Sequence, residues 1–284
     1  MIEVSVMAGR YVLAVSGGVD SVVLLDILSH QSNLELIVAH FDHGIRDDSS
    51  HDAEFVKVLA EKYGLKFESK REELGKDASE DIARNRRYDF LRKLAKKYDA
   101  KLITAHHADD VIESIVINLY RGTGWRGLAV LDSDVVRPLT VATKQEILDY
   151  AVNNGLEWRE DSTNLSHKYL RNRIRGKVKK LDNNAKTQLL EIWNRQKNLK
   201  KMINEEVERF VDNGPTYGRY FFINIDETVA IECLRRVVGA RLTRPQLHNL
   251  LYKIKTALPG KKYQAGNGIN INFSSRNFTV ELIK

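Results

Sequence analysis

The first half of the chain alternates between short apolar runs and longer amphipathic stretches. Residues 11–15 are apolar and stop just before the glycine pair Gly17-Gly18, and residues 34–40 are mostly apolar. Short runs of this kind with β-branched side chains are typical of buried strands. Residues 52–63 instead place their apolar side chains on one face at helical spacing. The same two patterns predict further strands at 66–70 and 101–105 and further helices at 21–28, 82–98 and 109–121. Strands that alternate with helices predict an α/β fold, a doubly wound parallel sheet with helices on its faces.

The regular alternation stops after Pro138. A helix is predicted at 144–153, and residues 189–211 have the spacing of one long helix. From residue 220 a short strand and two helices lead to a hairpin-like stretch. We therefore predict three parts, namely a catalytic domain of residues 1–184, a helical linker of residues 185–212 and a small α+β domain of residues 213–284.

The composition is that of a soluble intracellular protein. Hydrophobic residues make up 43% of the 284 residues and charged residues 29%, and no run of about 18 apolar residues predicts a membrane span. The N-terminus lacks the basic and apolar regions of a secretion signal. The single cysteine, Cys233, excludes a disulfide framework and a thiolate zinc site within the chain. We expect a cytoplasmic protein with no membrane partner.

Charge is divided unevenly along the chain. Residues 1–165 carry 21 Lys and Arg against 28 Asp and Glu, whereas residues 166–284 carry 24 against 10. This division suggests that the first part performs chemistry and the second contacts a polyanion. A solvated basic face would give the same composition.

The strongest chemical signal is the loop of residues 16–21, between a predicted strand and a predicted helix. Two glycines let the backbone curl so that successive N–H groups point into one concavity, and the helix start adds positive potential. The serine hydroxyls can donate to phosphate oxygens, and Asp20 suits a divalent cation bound to those phosphates. The loop differs from the GxxxxGK[ST] pattern, and we expect no lysine at the phosphates. The predicted pyrophosphate site consists of Ser16, Gly17, Gly18, Val19, Asp20 and Ser21.

A pair of carboxylates follows the fourth predicted strand. Asp110 and Glu113 lie three residues apart on one helix face, where they can hold an ammonium group, a magnesium ion, or each in turn. His106, one turn earlier, is a candidate phosphate contact or proton acceptor. The alternative is that these acids only stabilise the helix start, but we expect Asp109 to supply that cap. Because ligands bind at the carboxyl ends of parallel strands, the pair and the loop are expected to share one cleft.

The loop resembles the SGGxDS pyrophosphate loop of the N-type ATP pyrophosphatases, and the segments after it resemble one family of these enzymes. In order they are HFDHGIR (40–46), EDIARNRRYDF (80–90), TAHHADDVIE (104–113), RGTG (121–124), RPL (137–139), REDSTN (159–164) and RNRIR (171–175). Together they resemble the bacterial tRNA(Ile)-lysidine synthetases. Two departures are small: Ser114 stands where that family usually has threonine, and only one compact C-terminal domain fits after residue 212, whereas some members carry two.

The resemblance implies a ligase that uses ATP and Mg²⁺. Its substrate would be tRNA(Ile) with a CAU anticodon, in which O2 of the wobble cytidine attacks the α-phosphate of ATP and pyrophosphate leaves. The ε-amine of free L-lysine would then attack C2 and expel AMP, which gives lysidine and changes codon reading from AUG to AUA. The resemblance is compatible with a homodimer.

The resemblance also implies roles for individual residues around the loop. Arg84 is expected to point inward, because Ile82, Tyr88 and Phe90 mark the buried side of its helix. Asp20 and Asp110 are the candidate Mg²⁺ ligands. Beyond the loop, the expected ATP contacts are Asp42, His43, Arg46, Arg84 and Gly122. The expected catalytic residues are His106, Asp110, Glu113 and Arg171.

A basic segment follows Arg171, whose planar guanidinium suits a phosphate or the departing AMP. The arginines there lie two residues apart, so they cannot all share one helix face. A plain basic loop is the alternative. The expected contacts to the tRNA backbone are Arg173, Arg175, Lys177, Lys179 and Lys180.

Two other functions remain open at this point. A tRNA 2-thiolase has the same loop type, but a single cysteine outside the catalytic domain lacks the pair needed for sulfur transfer or an iron–sulfur cluster. A nucleic-acid-binding module with an inactive nucleotide fold is the second alternative, and the intact loop with the Asp110–Glu113 pair argues against it. Pyrophosphate release that requires both tRNA and lysine would separate the three.

Overall fold

The computed structural model describes residues 2–44, 49–75, 80–159, 170–211 and 214–282, without the side chains of residues 49, 50, 80 and 170–172. The chain divides into two compact units, Met1–Lys197 and Asn198–Lys284. Within the described ranges, none of the helices combines the length and apolar character that crossing a bilayer requires.

The first unit confirms the predicted α/β fold, because it is built on a parallel four-stranded sheet. Its strands, in chain order, are β1 (Gly9–Ala14), β2 (Leu34–Asp42), β3 (Lys66–Arg71) and β4 (Lys101–Ile103). The spatial order is β3-β2-β1-β4, so the chain changes direction across the sheet between β1 and β4. A single parallel bridge from Ile103 to Val136 extends the β4 edge. In such sheets ligands bind where the strand order reverses, outside the carboxyl ends of the strands.

Helices follow the four strands as the hydrophobic pattern predicts, and those after Pro138 include one, at residues 170–178, that the pattern did not predict. They are α1 (Val19–Ser29), α2 (Ser49–Lys62), α3 (Glu80–Lys97), α4 (Ala108–Tyr120), α5 (Lys144–Asn153), α6 (Leu170–Val178) and α7 (Asn183–Phe210). The boundary between the two units falls within α7. Helix α1 is buried at 8 of its 11 residues, because apolar side chains occupy almost its whole circumference.

A buried carboxylate joins three of these helices. Asp26 of α1 accepts hydrogen bonds from the hydroxyls of Tyr63, just after α2, at 2.6 Å and of Tyr150 on α5 at 2.8 Å. Burial, reinforced by this carboxylate, raises the pKa of Tyr150 to about 12 and also raises the pKa of Tyr63. Helix α5 is therefore held against α1 by a charge-assisted hydrogen bond as well as by apolar packing.

The second unit is a small α+β structure with an antiparallel sheet in the order β5-β8-β7-β6. Its elements are α8 (Arg219–Asn224), α9 (Glu227–Val237), α10 (Arg244–Thr256), β5 (Thr216–Gly218), β6 (Lys262–Gly266), β7 (Ile269–Phe273) and β8 (Asn277–Leu282). The strand predicted from residue 220 is wrong, since that segment is α8. Its aromatic residues resemble a strand in sequence, but Phe222 is buried while Tyr220 is 80% exposed.

Candidate functional site

The loop after β1 is curled by its own serine side chains. The Oγ of Ser21 accepts a hydrogen bond from the backbone N–H of Ser16 at 3.1 Å and donates to the carbonyl of Gly18 at 2.9 Å. Gly17 has φ +91°, a backbone conformation that side chains other than glycine's strain to adopt. The predicted loop is therefore turned back on itself where it passes into α1, which begins at Val19. This is the backbone shape that an anion site requires.

Asp20 lies in the first turn of α1 and faces the loop that follows β4. Its Oδ1 is 2.5 Å from the Nζ of Lys144 on α5, and its Oδ2 is 3.9 Å from the Nε2 of His107. The same Nε2 is 3.5 Å from Oδ2 of Asp110. His107, whose side chain is 9% exposed, thus stands between the two expected Mg²⁺ ligands.

The start of α4 differs from expectation in which acid caps it. The N-cap residue is His107, and Asp110 closes a capping box by accepting the His107 backbone N–H at 3.0 Å. Asp109, the expected cap, instead accepts from the backbone N–H of Lys144 and from the ammonium of Lys186, both at 2.7 Å. The expectation failed because Asp109 is turned toward α5 and α7, which sequence position alone does not reveal.

His106 lies in the same loop and is uncharged at neutral pH. Burial lowers its pKa to about 3; the Asp110 carboxylate opposes this shift, and the guanidinium groups of Arg137 and Arg84 add to it. Its Nδ1 is 2.8 Å from the hydroxyl of Thr104, the residue after β4. His106 is therefore a neutral hydrogen-bonding group at this edge of the sheet.

Glu113 lies one turn beyond Asp110 and is almost fully buried. Its Oε1 accepts a hydrogen bond from Nε of Arg175 on α6 at 2.9 Å. The attraction of this carboxylate raises the pKa of Arg175 against the effect of burial. Arg175, expected to contact tRNA, is instead directed into the first unit. The side chain of Arg171, also on α6, lies outside the described residues.

The rest of α6 presents a basic face. Ile174 and Val178 are buried, whereas Arg173 and Lys177 are exposed one turn apart. Lys179 and Lys180, in the turn after α6, are exposed as well. A basic loop was the alternative for this segment, and the observed helix separates an apolar face from a charged one.

Asp42 and His43 follow β2, the second strand end of the site. The Asp42 carboxylate accepts the backbone N–H of Gly44 at 2.8 Å and lies 3.3 Å from Arg71. The His43 ring packs edge-on against Phe41, with centroids 4.9 Å apart. Arg46 lies outside the described residues.

Arg84 of α3 is half-buried, as expected, although one reason for expecting it is wrong. Its guanidinium lies 5.1 Å from the ring centroid of Tyr88, but Ile82 is 50% exposed and does not mark the buried side of the helix. Gly122 lies in the turn after α4 with φ +69°. There its backbone N–H donates to the carbonyl of Leu119.

Sequence reasoning missed Lys144 and His107. The signal for Lys144 was available: Thr143 and Glu146 form a capping box, which marks Lys144 as the first residue of a helix. A cation is unfavourable in that turn because the helix dipole is positive there. In the structure the carboxylate of Asp20 offsets this cost.

Comparison with known proteins places the chain beside tRNA-modifying enzymes. Residues 2–182 match the model of the PP-loop domain family. The tRNA(Ile)-lysidine synthase of Thermotoga maritima is 36% identical over 95% of this chain and 69% of its own length. The synthase of Rickettsia bellii is 39% identical over 60% of this chain and 43% of its own. The synthase of Thermus thermophilus is 40% identical over 58% of this chain and 34% of its own length.

The chain thus spans about half or less of the length of several curated relatives. Among solved structures, the U34-tRNA thiolase NcsA from Methanococcus maripaludis, with its [4Fe-4S] cluster, superposes with a TM-score of 0.55. The match covers 67% of this chain and 71% of that one at 20% sequence identity. This likeness concerns the fold alone.

Proposed function

Because the chain belongs to the tRNA(Ile)-lysidine synthase family of PP-loop proteins, we propose that it makes lysidine at the wobble cytidine of tRNA(Ile) with a CAU anticodon. The observation that carries this proposal is that the segments after β1 and β4 lie close to each other. The phosphate-type loop after β1 and the acidic start of α4 face each other across His107, which lies within 4 Å of carboxylates from both.

The loop would bind the phosphates of ATP. Its curled backbone and the start of α1 offer N–H donors and positive potential, and Ser16 and Ser21 add hydroxyl groups. His43, Arg84 and Gly122 remain our proposed further ATP contacts. The carboxylate of Asp42, already bonded to Gly44 and near Arg71, would shape the β2 turn rather than contact ATP.

Asp20 and Asp110 suit a Mg²⁺ ion that is shared with phosphate oxygens. Mg²⁺ is commonly held by one or two carboxylates plus substrate phosphates and water. No cluster of three or more His, Cys, Asp or Glu in the described part of the chain has the arrangement of a protein-only metal site. When bound, the ion would neutralise charge on the phosphates.

Of the two acids on α4, Asp110 would contact the lysine amine and Glu113 would hold the neighbouring helix in place. The amine enters as ammonium, with a solution pKa near ~10.4, so the site must bind a cation and then release a proton. Asp110 is partly exposed beside His107 and is our proposed ammonium contact. Glu113, buried and bonded to Arg175, would position α6 against α4. Arg171, on that helix, remains our candidate contact to the phosphate of AMP.

The exposed residues Arg173, Lys177, Lys179 and Lys180 are the proposed contacts to the tRNA backbone. They lie on and directly after α6, the helix that Arg175 joins to the acidic start of α4. A basic surface next to the site could hold the anticodon arm through its phosphates. Arg175 no longer belongs to this group.

The test is a reaction with ATP, Mg²⁺, lysine and CAU-anticodon tRNA(Ile). We expect AMP and pyrophosphate to form only when both tRNA and lysine are present, and mass analysis of the wobble nucleoside to show added lysine. A nucleoside that carries sulfur would instead identify a thiolase, and turnover without lysine would also contradict the proposal.

A matched pair of variants on α1 ties the reaction to the loop. Ser21→Ala removes the hydroxyl that closes the loop, so we expect at least about tenfold slower turnover, equivalent to ~1.4 kcal/mol. Ser29→Ala removes a hydroxyl at the far end of the same helix, where it bonds the carbonyl of Asp26. This control should keep its activity.

A further inference from the structure

We propose that Arg159 is a positioning residue of the pyrophosphate loop, which it holds in its anion-binding shape from outside the loop. This inference rests on the proposed function in that it concerns the same ATP site. The backbone N–H of Arg159 donates to the carbonyl of Gly17 at 3.0 Å. The Nε of the same residue lies 2.7 Å from Oδ1 of Asp52, in the first turn of α2. Arg159 thus links the loop to a helix that is remote from it in sequence.

The direction of the carbonyl groups decides whether the loop can bind an anion. Such a site needs backbone N–H groups that point inward, so the carbonyls of the same stretch must find donors elsewhere. Three carbonyls here have such donors: that of Val15 has Nδ1 of His40 at 2.9 Å, that of Gly17 has the Arg159 N–H, and that of Gly18 has Oγ of Ser21 at 2.9 Å. Gly17 has φ +91°, and glycine has the widest backbone freedom, so a bond from outside the loop restricts the backbone most at this residue.

The segment that supplies the Arg159 N–H is itself anchored in the core of the first unit. Leu156 and Trp158 pack against the core cluster that contains Val15 and Val19, the residues that flank the glycines of the loop. Arg159 follows these two half-buried residues and is exposed. Its backbone is therefore a fixed donor, and its side chain is available to contact α2.

Helix α2 closes the other side of Gly17. A Cβ atom at Gly17 would lie 3.6 Å from the side chains of Phe55 and of Val56, which is ordinary packing distance. Asp52 precedes both residues by about one turn of the same helix. The ion pair of Arg159 with Asp52 therefore joins the two walls between which the loop lies. The two side chains are 41% and 15% exposed, so the pair matters less for its electrostatic energy than for the spacing that it sets.

A loop that is already held in shape loses little conformational freedom when pyrophosphate binds. Ordering a loose backbone costs entropy, so a pre-organised loop binds its ligand more tightly than a mobile one. Removing the Arg159 guanidinium keeps the N–H but releases the segment from α2. The loss should therefore fall on ligands that carry the outer two phosphates, and much less on AMP, which lacks them.

The experiment measures ligand binding by calorimetry in the full chain, without tRNA or lysine. It compares a non-hydrolysable α,β-methylene ATP analogue, inorganic pyrophosphate and AMP, each with Mg²⁺. For Arg159→Gln we expect roughly three- to tenfold weaker binding of the analogue and of pyrophosphate, with AMP affinity changed less than about twofold. Arg159→Lys should retain most of the affinity, since an ammonium can still pair with Asp52. The double variant Arg159→Asp with Asp52→Arg should bind pyrophosphate more tightly than either single reversal.

Hydrogen exchange of the unliganded chain gives a second measurement. The peptide that covers residues 15–21 should exchange faster in Arg159→Gln than in the unchanged chain, because the loop opens more often. The matched control is Arg10→Gln, which removes a pair of similar exposure, Nε of Arg10 with Glu35 at 2.8 Å, at the opposite edge of the sheet. This control should bind all three ligands normally and leave the exchange of the loop unchanged.

Two results would overturn the inference. The first is an Arg159→Gln chain that binds the analogue and pyrophosphate like the unchanged chain. The second is a loss of AMP affinity as large as the loss for pyrophosphate, which would reveal a general effect on folding. A chain that shows the expected pyrophosphate loss but makes no lysidine would refute the proposed function and leave this inference standing.

Discussion

At the scale of single residues, the site is defined by which carboxylates already have partners. Asp109 is engaged by Lys144 and Lys186, and Glu113 by Arg175. Asp110 also caps α4, yet its Oδ2 still faces the Nε2 of His107 across 3.5 Å. Asp110 therefore combines a structural and a chemical role.

We expect Asp110→Asn to lose at least about tenfold in turnover, ~1.4 kcal/mol, because the amide cannot neutralise an incoming ammonium or Mg²⁺. The amide oxygen can still accept the His107 N–H, so the thermal midpoint should change little. Steady-state rates at saturating lysine and a thermal melt provide the measurement. The exposed Asp89→Asn on α3 is the control. Normal turnover in Asp110→Asn would reduce this residue to a helix cap.

Residue identities in the site were predictable where chain order determines position. The loop of Ser16 to Ser21 follows from glycines between a strand and a helix, and the acid pair from its spacing after the fourth strand. The direction in which each carboxylate points was not predictable from the sequence. Asp109 and Asp110 are adjacent, and only packing decides which one faces α5. The capping box of Thr143 and Glu146 marks Lys144 as a helix start, but only the fold shows that this helix start lies beside Asp20 of the loop.

At the scale of elements, two sets of side-chain hydrogen bonds link the helices that surround the site, and we call them polar ties. Glu113 with Arg175 joins α4 to α6, and Asp26 with Tyr63 and Tyr150 joins α1, α5 and the end of α2. Strand and helix periodicity predicted these elements. The ties themselves were beyond sequence reasoning, since they join residues 62 and 124 positions apart.

We expect Arg175→Met to lower the free energy of unfolding by about 1–3 kcal/mol, the cost of removing the partner of a buried polar group. Removing one partner of a fully buried ion pair costs more free energy than this, but the side chain of Arg175 is about one third exposed. Adding Glu113→Gln should restore part of the loss, because the remaining charge disappears. Thermal melts test both variants against Arg92→Met, which removes an exposed ion pair with Asp134 at 3.7 Å. Equal melts for Arg175→Met and this control would argue against a stabilising tie.

The tyrosine tie predicts a stability loss at high pH. The pKa of Tyr150 is about 12 when folded and 10.0 for the free side chain. A raised folded pKa means that the unfolded state loses its proton first, so the stability is complete below pH ~10 and declines toward pH ~12. We expect the thermal midpoint to fall across this window, and to fall less steeply in Tyr150→Phe. The exposed Tyr252→Phe serves as control, and an identical slope in all three proteins would contradict the prediction.

At the scale of the whole molecule, the basic excess begins before the second unit. Residues 166–197 carry ten Lys and Arg against two Asp and Glu, whereas residues 198–284 carry fourteen against eight. Composition showed a basic second half of the chain. Only the helical face of α6 shows which of these charges are exposed next to the acidic start of α4.

We expect tRNA affinity to fall steeply with salt, because binding to phosphates releases counterions. Replacing Arg173, Lys177 and Lys180 with glutamine should weaken binding and reduce the log–log salt slope by about 0.7–0.9 for each phosphate that is no longer neutralised. The control replaces Arg92, Lys93 and Lys96, three exposed basic residues of α3, and makes the same charge change. Equal slopes for the two triple variants would show that net charge alone, and not the α6 face, governs the binding.

The burial of α1 has a consequence for how the first unit opens. Local unfolding is easiest where few apolar contacts are broken, and its free energy approaches that of global unfolding in fully packed elements. Helix α1 is buried at 8 of 11 residues, so the amide hydrogens beyond its first turn should exchange with solvent only when the whole unit unfolds. The phosphate loop is therefore mounted on a slow-exchanging part of the chain. Amide hydrogens on exposed elements of the same unit, such as α3, should exchange sooner.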